Sequence, residues 1–421
     1  MLAHYMILAT GATWGICAAS TAAIIARPFR WPEAIWAAAG ATLLLLFGLM
    51  PFAAAIGAVA KGADVYLFLT GMMLLSEVAR AEGLFDWVAA TAAIHSKGST
   101  AKLFALVYAT GIVTTTFLSN DATAVVLTPA VYAAAKKAKA DPLPLLFACA
   151  LIANAASFVL PISNPANLVL YGGHMPPLRQ WFASFALPSL ASIIVTFLVL
   201  RWTERKRLAG TCLSDVERPA LTTGGKAAFA GIVATALMLL VVSAMDIELG
   251  LPTAIAGIIT TLAVCMIARS SPLPLLKDIS WSVLPLVAGL FVLVEALELT
   301  GVIAWIAQGI HSAAADPAKA SMVSGAILAV ASNLVNNLPA GLVASTAVAQ
   351  AQPPRVIVDG LLIGVDLGPN LSITGSLATI LWLQAIRREG EDVGFWRFLK
   401  VGSVAMPLAL IAALGVRLLV G

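Results

Sequence analysis

The sequence predicts an all-α polytopic membrane protein: an inverted repeat of five spans plus one re-entrant helical hairpin each, with two broken transmembrane helices. Three observations lead there. Of the 421 residues, 60% are hydrophobic and 11% charged, whereas soluble domains carry about 25% charged residues. Apolar runs of about 20 residues recur from end to end, each long enough for a hydrocarbon core about 30 Å thick. The chain also repeats itself. Gly71, Glu77, Gly83 and Trp87 of "GMMLLSEVARAEGLFDW" recur as Gly289, Glu295, Gly301 and Trp305 of "GLFVLVEALELTGVIAW", and Asn120 recurs as Asn337. Matches among residues as costly in a membrane as Glu and Asn mark an internal duplication.

The first run, from Ala3 to Ala26, lacks a basic leading region and is long for a signal sequence, so it reads as a retained span. Spans follow near 34–58, 64–80, 142–171 and 180–200. The second half has spans near 226–245, 251–268, 281–299, 356–386 and 395–419. The halves are 1–200 and 226–421. Between them, residues 201–225 form a basic linker with Arg201, Arg205, Lys206, Arg207 and Arg218, and Lys226 follows at its edge. Positive residues favour the cytoplasm. Threading outward from that linker places every Lys and Arg there except Lys61, Arg179, Lys319, Arg355 and Arg417. Equivalent spans then run in opposite directions, the build of many secondary transporters. The short segments 84–96 and 302–312, with Trp87 and Trp305, suit helices lying in the interface.

Residues 103–135 and 320–349 read differently. Each is two apolar arms of about 15 residues, short of a full span, joined by a polar tip, "LSND" or "SNLVNNLP". In the first, Lys97 and Lys102 precede the arms and Lys136, Lys137 and Lys139 follow them. Both ends on one side require the segment to enter the membrane and turn back. Non-helical backbone is tolerated at depth only where protein or a water-filled cavity satisfies it. A helix N-terminus there suits an oxygen-rich ligand.

Two spans contain helix breakers. "LIANAASFVLPISNPANLVLYGG" carries Pro161 and Pro165 with Asn154, Ser163, Asn164 and Asn167. "LLIGVDLGPNLSITGSLATILWL" carries Gly368 and Pro369 with Asp366, Asn370, Thr374 and Ser376. Freed backbone groups at such breaks bind ligands. The expected substrate site therefore combines Ser119, Asn120, Asn154, Ser163, Asn164, Asn167, Asn336, Asn337, Asn370, Thr374 and Ser376. An ionised Asp at membrane depth costs about 2.5–3.5 kcal/mol on insertion scales. Asp121 and Asp366 are accordingly the expected proton carriers, although Asp121 also suits an N-cap of the second hairpin arm. Glu77 and Glu295 fall late in their spans and read as structural.

Other signals are weak. His4, His95, His174 and His311 fall near span ends. Cys17, Cys149, Cys212 and Cys265 are scattered without a CxxC pair, against a disulfide framework or a zinc site. No hydrolase or ATP-binding motif occurs. No cofactor or metal is expected, and the basic balance reports topology rather than nucleic acid.

"FLSNDATAVVLTP", "NLVNNLP" and above all "DLGPNLSITGSLATILWL" resemble the ArsB family, bacterial arsenite and antimonite efflux permeases of the ion transporter superfamily. The resemblance covers essentially the whole chain. It implies export of arsenite, as neutral arsenous acid, and of antimonite from the cell across the plasma membrane in exchange for protons. It also implies elevator-type alternating access and, in some relatives, a separate soluble arsenite-stimulated ATPase subunit. The family has an Asp where this chain has Asn154, which shifts proton coupling toward Asp121 and Asp366. The competing readings are a sodium-coupled di- or tricarboxylate transporter of the same superfamily and a membrane subunit that docks an ATPase. A carboxylate substrate favours Arg or Lys, and none lies in the tips or broken spans.

Overall fold

The computed structural model describes residues 2–172, 175–217 and 219–420, without the side chains of residues 2–7 and Arg30. His174 and Arg218 and the side chain of His4 thus lie outside the described residues.

The chain is all-helical. The first half runs α1 (Leu2–Ala26), α2 (Glu33–Leu46), α3 (Phe52–Lys61), α4 (Ala63–Ala81), α5 (Leu84–His95), α6 (Thr100–Phe117), α7 (Thr128–Lys137), α8 (Pro142–Ala155), α9 (Pro165–Tyr171) and α10 (Leu178–Thr203). The second half runs α11 (Thr223–Ala244), α12 (Gly250–Ala268), α13 (Pro272–Asp278), α14 (Val283–Leu299), α15 (Val302–Ala313), α16 (Pro317–Val335), α17 (Asn337–Ala351), α18 (Arg355–Leu367), α19 (Leu377–Arg388) and α20 (Phe395–Val420). Long elements recur in the same order, down to Pro188 inside α10 and Pro407 inside α20.

Contacts recur with the order. α2 packs on α14 as α12 packs on α4, α6 on α8 as α16 on α18, and α5 on α7 as α15 on α17, while α10 and α20 pack on each other. Among the described residues, 7 helices are long and apolar enough to cross a membrane, or up to 9 if each bent pair counts as one span. Large apolar side chains such as Leu46, Phe52, Leu237 and Met266 stand exposed on the outside, as lipid-facing residues do.

The structure corrects two expectations. Residues 34–58 are not one helix. Gly48, at φ 63°, and Pro51 end α2, because a left-handed residue closes a helix and proline cannot continue one. α3 instead continues into α4 across a bend of 46°, and α13 meets α14 at 41°. The first arms of the hairpins are also longer than expected. α6 has 18 residues and α16 has 19, about 27–28 Å at 1.5 Å per residue; the second arm of the second hairpin, α17, has 15. The linker is held against the first hairpin. Its Cys212 and Leu213 amides donate to the carbonyls of Gly98 and Ala138 at 2.9 and 2.7 Å, tying it to both outer ends of the first hairpin.

One close crossing is α4 on α12. A Cβ at Gly71 would run into the backbone of Thr253, and one at Gly257 into the backbone of Gly71. Neither neighbour can yield. Gly71→Val is expected to cost about 1–3 kcal/mol, read as a lower thermal midpoint in detergent. Gly11→Ala, which meets nothing within 4 Å, should leave the midpoint unchanged.

Candidate functional site

The first hairpin turns at Leu118. Ser119 Oγ accepts from the Ala122 amide at 3.2 Å and starts the second arm, while Asn120 Oδ1 accepts from the Asp121 amide at 2.9 Å. Ser119, not Asp121, is therefore the N-cap. The hydroxyl stands where it can reach a first-turn amide, and Asp121 is already inside that turn. Residues Thr123–Leu127 form a π-helical turn before α7, a wide geometry seen at functional sites. The second hairpin turns at Asn336, at φ 74°. Its Oδ1 accepts from the Leu338 amide at 3.4 Å, and the Asn337 amide donates to the Gly375 carbonyl at 2.9 Å.

Both broken spans open at the same relative place. α8 ends at Ala155, and the chain resumes as α9, capped by Asn164 Oδ1 on the Ala166 amide at 3.0 Å. α18 ends at Leu367, and the chain resumes as α19, capped by Ser376 Oγ on the Thr379 amide at 3.1 Å. Pro161, Pro165 and Pro369 cannot donate helical hydrogen bonds.

Side chains cross-link the breaks. Asn164 Nδ2 donates to Asp366 Oδ1 at 2.7 Å, and Asn154 Nδ2 to Asn370 Oδ1 at 3.0 Å. Asn370 Nδ2 donates to the Leu151 carbonyl at 3.0 Å, and Asn167 Nδ2 to that of Ser157 at 2.9 Å. Ser163 Oγ donates to the Thr116 carbonyl at 3.1 Å and so ties the first break to the first hairpin, as Gly375 ties the second break to the second.

Asn154, Ser163, Asn164, Asn167, Asn370 and Asp366 thus form one buried cluster. Asn336, Asn337 and Ser376 are buried beside the second break. Thr374 turns instead toward the carbonyl of Asn333 at 3.0 Å and is only half-buried. Asp121 also sits apart from that network. It lines a small cavity of about 90 Å³ with Ser119, Met72, Ser76, Glu77 and Pro165.

That small cavity shares Glu77, Val125, Val126, Asp278 and Leu381 with a vestibule of about 730 Å³, whose rim carries Arg27, Arg80, Asp86, Arg388 and Glu389. Glu77 pairs with Arg80, which also reaches Asp278 Oδ2 at 2.9 Å, and Glu295 pairs with Lys61 Nζ at 2.6 Å. Both glutamates are held by cations.

The cluster holds acceptors without donors. Asn154 Oδ1, Asn167 Oδ1, Asn337 Oδ1 and Asp366 Oδ2 are buried and have no hydrogen-bond partner, and neither has Thr116 Oγ1. Buried polar groups are nearly always paired, so this concentration suits a bound molecule that brings donors.

Sequence reasoning missed Asn333, Ser372 and Thr116. Asn333 Nδ2 donates to the Gly368 carbonyl at 2.8 Å, and its Oδ1 accepts from Ser372 at 2.8 Å. The signal was present. Asn333 lies inside the polar tip "SNLVNNLP".

Asn164 both caps α9 and bonds to Asp366. Asn164→Ala should therefore cost about 1 kcal/mol for the cap and a further roughly 1–3 kcal/mol for the buried acceptor it abandons. Ser376→Ala should cost the cap and the neutral hydrogen bond to Thr379 Oγ1, but leaves no buried carboxylate without its donor and so costs less. Thermal melting of the two variants side by side checks the difference.

Comparison with known proteins follows this architecture. The family described as "Citrate transporter" (CitMHS) matches residues 21–369. The arsenical pump membrane protein of Escherichia coli (strain K12) is 25% identical over 364 residues, covering 82% of this chain and 85% of that protein. That of Yersinia enterocolitica is 27% identical over 367 residues, with the same coverage. In fold, the chain is similar to the crystal structure of the Alcanivorax borkumensis YdaH transporter, with a TM-score of 0.57, 14% identity and 87% of each chain covered. The resemblance to arsenical pump membrane proteins is thus found directly, over most of the chain. The protein is a multi-pass transporter of the plasma membrane, and the chain belongs to the CitMHS citrate transporter family.

Proposed function

We propose that the protein exports arsenite, as neutral arsenous acid, and antimonite from the cytoplasm in exchange for protons. The observation that carries this reading is the set of buried oxygens at Asn154, Asn167, Asn337 and Asp366 that lack donors. Arsenous acid is a small triol and brings three O–H donors. A carboxylate substrate brings acceptors, which this site already has in excess, and no Lys or Arg lies in the tips or breaks to meet it. The relatives' names, which are those of arsenical pumps, point the same way. Four cysteines lie scattered, so cargo held by hydroxyl contacts is released more readily than cargo chelated by thiolates.

In this reading Ser119, Asn120, Asn154, Ser163, Asn164, Asn167, Asn336, Asn337, Asn370, Thr374 and Ser376 bind the substrate. Asp121 and Asp366 carry the protons. Asp366 has one partnered and one free oxygen in the cluster. Asp121 stands between the cluster and the vestibule, on a route for protons to and from the cytoplasm. The two halves, 1–200 and 226–421, are an inverted repeat joined by the linker 201–225. The exchange of contacts between them supports this. Transport follows an elevator-type movement, the hairpins and broken spans shifting against the bent scaffold helices.

A second reading has one observation in its favour, membership of a family described by citrate: sodium-coupled uptake of a di- or tricarboxylate. The free oxygens would then hold the cation. Purified protein in liposomes with an acid interior and a pH-sensitive dye separates the two. Arsenite alone should enter, accumulate and drive protons out, while citrate should do neither, with or without sodium. Asp121→Asn and Asp366→Asn should each slow proton-linked arsenite movement by about tenfold or more, the effect of about 1.4 kcal/mol. If nothing moves until sodium and citrate are both present, the carboxylate reading holds instead.

A further inference from the structure

A groove of about 400 Å³ runs along the outside of the first hairpin, away from the substrate cluster. Val88, Thr91 and His95 of α5 form one wall, Leu106 and Val113 of α6 another, and Phe229 of α11 a third. It opens outward, since Val113 is 58% and Phe229 55% exposed. It ends against Phe117 and Leu118, the last residues before the hairpin tip.

The groove is polarised. Lys102, Leu106, Val113 and Phe117 share one helix face at spacings of four, seven and four, and His95 is the last residue of α5. α5 and α6 are joined at that end by residues 96–99, so His95, Lys97 and Lys102 gather there, all exposed. His95 donates through Nδ1 to the Thr91 carbonyl at 2.8 Å, which leaves Nε2 as an acceptor for an outside hydroxyl. From Trp87 to Asn120 the sequence contains no Asp or Glu. The apolar stretch from Leu106 to Phe117 is about 17 Å long at 1.5 Å per residue, close to the roughly 15 Å of one bilayer leaflet.

We propose that this groove is a binding site for one anionic phospholipid of the cytoplasmic leaflet. The phosphate meets Lys97 and Lys102, and a headgroup hydroxyl donates to His95 Nε2. One acyl chain lies along α6 between the hairpin and α11, with its end at Phe117. Positive side chains near a membrane surface attract anionic lipid. The lipid separates a hairpin arm from a helix of the other half, so its presence bears on how freely that arm can shift.

The test is binding, so it stands or falls independently of the transported substrate. Full-length protein, delipidated in detergent, is titrated with phosphatidylglycerol and with phosphatidylethanolamine of the same acyl chains, and bound lipid is counted by native mass spectrometry. Phosphatidylglycerol should bind at least about tenfold more tightly. The variant His95→Ala, Lys97→Gln, Lys102→Gln should reduce it to the phosphatidylethanolamine level. Val113→Trp, which fills the groove at an exposed position, should weaken both lipids, with an unchanged thermal midpoint in lipid-free detergent as the check on folding. Should the triple variant not fold, Lys102→Gln alone should still lower the preference several-fold. Equal binding of the two lipids by the unaltered protein overturns the proposal, as does a preference that survives the basic substitutions. Undiminished binding by Val113→Trp also overturns it.

Discussion

Inside a hydrocarbon layer a backbone can leave the helix only where protein or a water-filled cavity meets its amides and carbonyls. This chain interrupts its helices at two hairpin tips and two spans, and the four breaks are cross-linked to one another. Asn164 reaches Asp366, Asn154 reaches Asn370, Ser163 reaches the Thr116 carbonyl, and the Asn337 amide reaches Gly375. Each break therefore needs the others. The polar cluster at the centre and the pairing of the two halves are two views of the same requirement.

The packing around that centre follows from it. Helices that hold the breaks must come close, and close approach selects small residues. Gly360, Gly364 and Gly368 lie along α18 and the turn after it, where added side chains would strike the backbone of Ser321, Gly325 and Ala329 on α16. α4 and α12 meet through Gly71 and Gly257 in the same way. The bends at α3–α4 and α13–α14 bring ion pairs, Lys61 with Glu295 and Arg80 with Glu77 and Asp278, to the ends of the scaffold helices. Charged groups at such edges cost less than at the centre.

A second buried carboxylate shows how selective the unmet acceptors are. Asp359 is fully buried, yet Arg417 donates to its Oδ2 at 2.8 Å and Tyr171 to its Oδ1 at 2.9 Å. Both oxygens are paired, as expected for a charge inside protein. Asp366, seven residues further along, has only neutral partners, Asn164 and Ser157. Within one segment of chain, the structural acid is paired with a cation and the acid of the cluster is not.

Much of this was legible in the sequence. Membrane-length apolar runs and prolines inside apolar spans identify the all-helical membrane class and the breaks, because each is a local cost that the fold must relieve. Ser119, Asn154, Asn164, Asn337, Asp366 and Asn370 stand out for the same reason: they are polar where polarity is expensive. Local sequence does not say which oxygen faces which donor. The α2–α3 break, the capping of the first hairpin by Ser119 rather than Asp121, the turning of Thr374 toward Asn333, and the pairing of Arg417 with Asp359 across 58 residues of chain all depend on where a distant segment comes to rest. Cost is a property of a residue in its medium and can be read along the chain. Satisfaction is a property of two residues brought together, and only the tertiary structure decides it.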